Sequence, residues 1–208
     1  LAAVPAAAAQ PVAAVVQAAA PGPAGAAASA PASPPLPYSA AVAARFPPPS
    51  TVYGLPSLAP GALTFTSNDE LAQRLAALAA AAPAGTRVQR LQPGRSHDGV
   101  PVQALRFARG ANPRPAVLLL GQQHGDEPAG AEALLVLADQ LLNTGLSQVL
   151  DRIDVIVLPR ANPDGAEWQR RVNAAGMDIN RDHLLLRTPE AQAVAALVRS
   201  QRPVVVVD

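Results

Sequence analysis

The sequence predicts an α/β fold over residues 64–208, with helices on both faces of a mostly parallel mixed sheet. Three observations carry this. Residues 116–120, 153–158 and 204–207 are almost wholly apolar runs, as expected of strands buried on both faces. Segments with helical spacing of apolar residues alternate with those runs, which is the pattern of a largely parallel sheet covered on both sides. Polar residues capable of chemistry gather directly after the first two runs, where sheets of this kind bind ligands.

Residues 1–63 precede that domain and read differently. Of the 23 prolines in the chain, 13 fall in the first 60 residues, among alanines and serines, and Arg45 is the only charged side chain there. Such a stretch buries too little apolar surface to offset the entropy of ordering it, so a disordered or extended linker is expected. Residues 1–9 resemble the end of a secretory signal with a small-residue cleavage site near Ala9. A periplasmic or secreted location is therefore expected, with the cytoplasm as the alternative. Pro5, Pro11 and Pro21 interrupt the longest apolar tract, and no transmembrane span is expected.

The elements of the folded domain follow in order. Ser67 and Glu70 form a capping box, and Leu71, Leu75 and Leu78 then share one helical face until Pro83 and Gly85 end the helix. Residues 87–91 and 100–107 read as two strands of a hairpin turning at Asp98-Gly99. After the run 116–120, residues 128–142 place Ala131, Leu134, Leu135, Ala138, Leu141 and Leu142 on one helical face. Thr188-Pro189 caps a last helix carrying Ala191, Val194, Ala195 and Val198, which leads into the run 204–207.

Composition narrows the chemistry. All 16 basic residues are arginine and 15 acids nearly balance them, so no net field draws the chain to nucleic acid or to an anionic membrane. With no cysteine, disulfides, thiolate nucleophiles and Cys-ligated zinc are excluded, which leaves His, Asp and Glu as metal ligands.

Two constellations remain. The segment Gln122-Gln123-His124-Gly125-Asp126-Glu127-Pro128 follows a strand and enters a helix, presenting an imidazole and a carboxylate three residues apart. Such a pair can bind one zinc ion, although His-x-x-Glu alone is a weak signal. After the next strand come Asn162-Pro163-Asp164-Gly165, Arg170-Arg171 and Asp178-Ile179-Asn180-Arg181-Asp182. Asn180-Arg181 sets a planar bidentate donor beside an amide, a suitable receptor for a carboxylate, and Arg171 is in range of a polarised carbonyl in the same cleft.

In order and content these motifs resemble the carboxypeptidase A-like zinc metallocarboxypeptidases, in particular their bacterial branch. The resemblance spans about residues 64–208 and implies hydrolytic removal of C-terminal amino acids from peptides. His124 and Glu127 match the first two zinc ligands, and Arg171, or less closely Arg170, matches the arginine that polarises the scissile carbonyl. Asn180 and Arg181 match the pair holding the substrate's terminal carboxylate. The implied cofactor is Zn2+, and the implied partner is a peptide or acyl-amino acid with a free carboxylate. The third ligand, a histidine, is expected just beyond residues 204–207, and the general-base glutamate farther on. The sequence ends at Asp208, so these residues are read as an incomplete, inactive part of the domain. The family's carboxylate-facing tyrosine also lacks a counterpart. Two other readings stay open: an aspartoacylase-like deacylase of small acyl-amino acids, and a non-catalytic carboxylate-binding module.

Four further residues receive plainer readings. His97 is expected in solvent beside the hairpin turn, and His183 to pack or form a substrate wall where the family commonly has an aromatic. Trp168 is expected to line a pocket or simply to pack. Glu190, in the first turn of a helix, is read as stabilising its dipole.

Overall fold

A computed structural model of the chain describes residues 39–45, 64–143 and 145–208. The chain divides into two compact units, residues 1–49 and 50–208. In the first, the described residues contain one helical turn, α1 (Ala40–Ala43). The remainder of the expected linker, and the expected signal remnant, lie outside the described residues.

In the second unit the first helix, α2 (Asn68–Ala80), starts as expected. The Ser67 hydroxyl accepts the Glu70 N–H at 3.2 Å, and the Glu70 carboxylate accepts the Ser67 N–H at 2.8 Å. That backbone bond, helped by the Ser67 hydroxyl, holds the Glu70 carboxyl below its ordinary pKa. Leu71 and Leu75 are buried by this helix.

Strands β1 (Thr86–Arg95) and β2 (Pro101–Arg109) form the antiparallel hairpin, with an irregularity between Leu91 and Gly94. Gly94 has a local reason. A Cβ there would lie 2.8 Å from the Ala193 Cβ, so the strand admits the helix above it only as glycine. The turn closes through Ser96 and Gly99, whose φ of +86° suits glycine.

Then follow β3 (Ala116–Leu120), α3 (Ala129–Asn143), a 3-10 helix at Gly145–Asp151, and β4 (Asp154–Leu158). Short α4 (Pro163–Glu167), α5 (Pro189–Gln201) and β5 (Val205–Val207) complete the order. The five strands lie in one sheet in the order β1-β2-β4-β3-β5. β3 pairs parallel with both β4 and β5, while β2 pairs antiparallel with β1 and β4. The sheet is therefore mixed, with parallel and antiparallel pairings equal in number among the described strands.

Alternation along the strands divides the core between two faces. Leu105, Phe107, Val155 and Val157 pack with α2, α3 and Leu150. Ala104, Leu118, Ile156 and Leu158 pack with Ala193, Val194 and Leu197 of α5. Burial on both faces is why β3, and β4 after Asp154, read as apolar runs. No single helix among the described residues is long and apolar enough to cross a membrane.

Candidate active site

The parallel pairing of β3 with β4 sets Leu120 opposite Leu158, so both strands deliver their following loops to the same edge. The loops then run side by side. Gly121 donates to the Leu158 carbonyl at 2.9 Å, Ala161 to Gly121 at 3.0 Å and Asn162 to Gln122 at 3.1 Å. A Cβ on Gly121 would lie 2.7 Å from the Pro159 carbonyl oxygen, so this approach requires glycine.

Further along, the His124 loop rests on the start of α4. A Cβ on Gly125 would collide with the Gly165 backbone. Asn162, wholly buried, caps α4 by accepting the Gly165 N–H at 2.9 Å. Its amide also donates to the carbonyls of Gln123 at 3.1 Å and Arg171 at 3.3 Å. One side chain thus fastens the segment before His124 to the backbone of Arg171.

These anchors bring together four charged or ionisable groups. His124 is almost buried, and its Nδ1 lies 3.3 Å from Oε2 of the exposed Glu127. Its Nε2 lies 3.2 Å from Asp178 Oδ1, which also accepts the Asn180 N–H at 3.0 Å. Asp178 Oδ2 accepts from Arg171 Nε at 3.1 Å, and Arg171 NH1 stands 3.7 Å from Glu127 Oε1. Burial pushes the Asp178 carboxyl up, but the Arg171 charge and the His124 hydrogen bond outweigh it and hold the group below its ordinary pKa.

A cavity of about 420 Å³ opens beside this cluster, lined by Gln123, His124, Glu127, Asn180 and Asp208 among others. Asn180 therefore borders the same space as His124 and Glu127. Arg181 is not among its lining residues; that side chain is exposed and donates to the Asn180 carbonyl at 3.0 Å. Arg170 is exposed as well and makes its backbone bond to Gly165.

The donor chemistry suits a metal in one respect. An imidazole nitrogen and a carboxylate face each other while the second ring nitrogen meets another carboxylate, the arrangement that orients metal-binding histidines. His124 and Glu127 thus fit zinc as two of the three protein ligands a catalytic site uses. Among the described residues no group of three His, Asp or Glu side chains converges to hold a metal ion.

Several residues behave differently from their plain sequence reading. Asp178 was not singled out, yet it joins His124 to Arg171. The available signal was that it is the sole carboxylate between Glu167 and Asp182. Glu190 is wholly buried and accepts the His97 N–H at 2.8 Å and the Asn173 amide at 2.9 Å. It ties the hairpin turn to the segment between Arg171 and Asp178, a larger role than stabilising a helix dipole. Asp164 anchors the same turn through Ser96 at 2.6 Å and the Asp98 N–H at 3.0 Å. The exposed His183 ring meets Gln123 Oε1 at 2.5 Å, and Gln123 in turn donates to Asp208 at 2.6 Å. Trp168 is 65% exposed, so it does not pack in the core.

The chain is similar to known carboxypeptidases. Carboxypeptidase 2 of Trichophyton rubrum is 37% identical over 94 residues, covering 44% of this chain and 18% of that protein. Carboxypeptidase SOL1 of Arabidopsis thaliana is 32% identical over 127 residues, covering 52% of this chain and 26% of that protein. The chain thus spans about a quarter or less of these relatives' length. Among solved structures, a metallo-carboxypeptidase from Pseudomonas aeruginosa, in complex with (2-guanidinoethylmercapto)succinic acid, superposes with a TM-score of 0.56 at 26% identity. That match covers 66% of this chain and 38% of the other. The model of the zinc carboxypeptidase family matches residues 71–201, more than half of the sequence, and the chain belongs to that family.

Proposed function

We propose that this chain contributes to a zinc carboxypeptidase that removes amino acids from the C-termini of peptides. One observation carries the reading: His124, Glu127 and Asn180 border a single cavity, with Arg171 held beside them through Asp178 and Glu127. His124 and Glu127 are the residues that would hold zinc. The chemistry such an ion supplies is Lewis acidity, which makes water nucleophilic near neutral pH.

The chain's own groups have separable tasks in this reading. Asp178 fixes the His124 ring through Nε2, leaving Nδ1 turned toward Glu127. Asn180 offers an amide to the terminal carboxylate of the substrate, and Arg181 adds a planar fork once its side chain turns from the Asn180 carbonyl into the cleft. Arg171 retains donors beyond its bond to Asp178, and these favour negative charge developing on the scissile carbonyl oxygen. The third ligand and the general base that the family resemblance implies have no counterpart among the described residues. Likeness to the Pseudomonas structure supports the bacterial branch.

The test is to incubate the whole zinc-loaded protein with matched peptides bearing free or amidated C-termini and to follow the products by mass spectrometry. Free-acid peptides should shorten by one residue at a time while amidated ones persist. Equal rates for the two would overturn the reading, and cleavage confined to small acyl-amino acids would move it to a deacylase.

A further inference from the structure

Arg160 is only 4% exposed, yet among the described residues no carboxylate lies within ion-pair distance of it. Its guanidinium is held by neutral acceptors instead. Nε donates to Gln122 Oε1 at 2.7 Å, NH1 to Asn68 Oδ1 at 2.8 Å and NH2 to the Thr66 carbonyl at 2.6 Å. Burying a charge in this way is costly, which argues for a task that a smaller apolar residue cannot perform.

Gln122 shows what that task is. It adopts φ +47°, a left-handed conformation uncommon for a residue other than glycine, at the point where the chain leaves β3 for His124. Its Nε2 donates to the Gly125 carbonyl at 3.0 Å. An arginine has donors only, so the Gln122 oxygen must face Arg160 and the amide nitrogen must face Gly125. The orientation of the amide is thereby set from one side, and the carbonyl between His124 and Glu127 is held from the other.

We propose that Arg160 is a positioning residue for the His124 and Glu127 metal site, acting through Gln122 on the Gly125 carbonyl. The inference rests on the reading of His124 and Glu127 as zinc ligands. Arg160 touches neither ligand. It fixes the loop so that the two donors face each other before an ion arrives, and lysine in its place keeps the charge but loses the fork that grips three acceptors.

The experiment is calorimetric titration of the chain with zinc chloride, comparing Arg160→Gln, Arg160→Lys, Gln122→Asn and the Arg160→Gln/Gln122→Asn double variant. Asparagine tolerates the left-handed backbone but is one methylene too short to link Arg160 with Gly125. Each single change should weaken zinc binding about tenfold or more, the scale for groups that orient metal ligands, and the double change should be no worse than the weaker single. Asn68→Ala removes another Arg160 acceptor outside this relay. It should lower the melting temperature and leave zinc affinity unchanged, which a purely structural Arg160 would not distinguish. Unchanged affinity in Arg160→Gln and Gln122→Asn, or losses that multiply in the double variant, would overturn the proposal. If Arg160→Gln fails to fold, Gln122→Asn decides, together with amide hydrogen exchange at residues 125–127, which should quicken in that variant. Zinc binding indifferent to loss of both His124 and Glu127 removes the site reading and this proposal together. Binding that needs both ligands but ignores Arg160 and Gln122 removes this proposal alone.

Discussion

Asp178 Oδ1 lies 3.2 Å from Nε2 of His124, the ring nitrogen turned away from Glu127. That contact fixes the ring plane and its tautomer, and it makes the opposite nitrogen a better donor to a metal. The same carboxylate grips Arg171, so the proposed zinc ligand and the arginine proposed to polarise the scissile carbonyl share one anchor.

Asp178→Asn should therefore weaken zinc binding about tenfold to a hundredfold, the range for groups that orient metal ligands. Competition with a chelator of known affinity measures the effect. Affinity equal to that of the unaltered chain would show that Asp178 serves Arg171 alone.

Gly125→Ala should destabilise the fold by about 1–3 kcal/mol, the usual cost of forcing a methyl into packed space. Its new Cβ would meet the Gly165 backbone, so the His124 loop and the start of α4 must separate. Urea unfolding gives the number. A neutral result would mean that the two loops part freely.

The central strands and the helices were legible because their physical causes are local. Burial on both faces makes residues 116–120 apolar throughout and residues 153–158 apolar except for Asp154, and the Ser67–Glu70 box marks a helix start. Strand length was less legible. β1 runs to Arg95 past an irregularity, because its register depends on β2 and on α5 packing over Gly94. The same division holds in the site. His124 and Glu127 sit three apart in sequence and are legible as a candidate pair, whereas Asp178 reaches His124 across 54 residues and Arg160 reaches Gln122 across 38. Glu190 looked like a helix-end charge because its partners, His97 and Asn173, come from distant turns.

Asp182 supplies a prediction about pH. Burial pushes its carboxyl up, but the backbone N–H groups of Thr188 and Arg187, with their side chains, outweigh it and bring the pKa from 3.8 down to about 2. A carboxyl whose folded pKa is depressed contributes stability above its unfolded value and loses it as pH falls through the folded value. That stabilisation should be complete above pH 3.8 and fade toward pH 2. Asp182→Asn should melt several degrees below the unaltered chain at neutral pH, with the gap closing over that window. Scanning calorimetry against pH checks it, and a gap constant down to pH 2 would contradict it.

Arg181→Lys, made in the whole protein, should lower kcat/KM for free-acid peptides by about 1.5–3 kcal/mol, the scale of a hydrogen bond to a charged group. Loss of Arg171 should instead lower kcat more than it raises KM, because its partner is charge that develops only in the transition state. Steady-state kinetics on one peptide series separates the two arginines. Identical kcat and KM effects would mean that they act at a single point.

The most direct measurement of the central claim is a zinc titration of the chain beside the His124→Ala/Glu127→Ala variant. With two protein donors and water completing the shell, the unaltered chain should bind one zinc ion weakly, and the double variant should lose that binding. Tight one-to-one binding that survives both replacements would contradict the account.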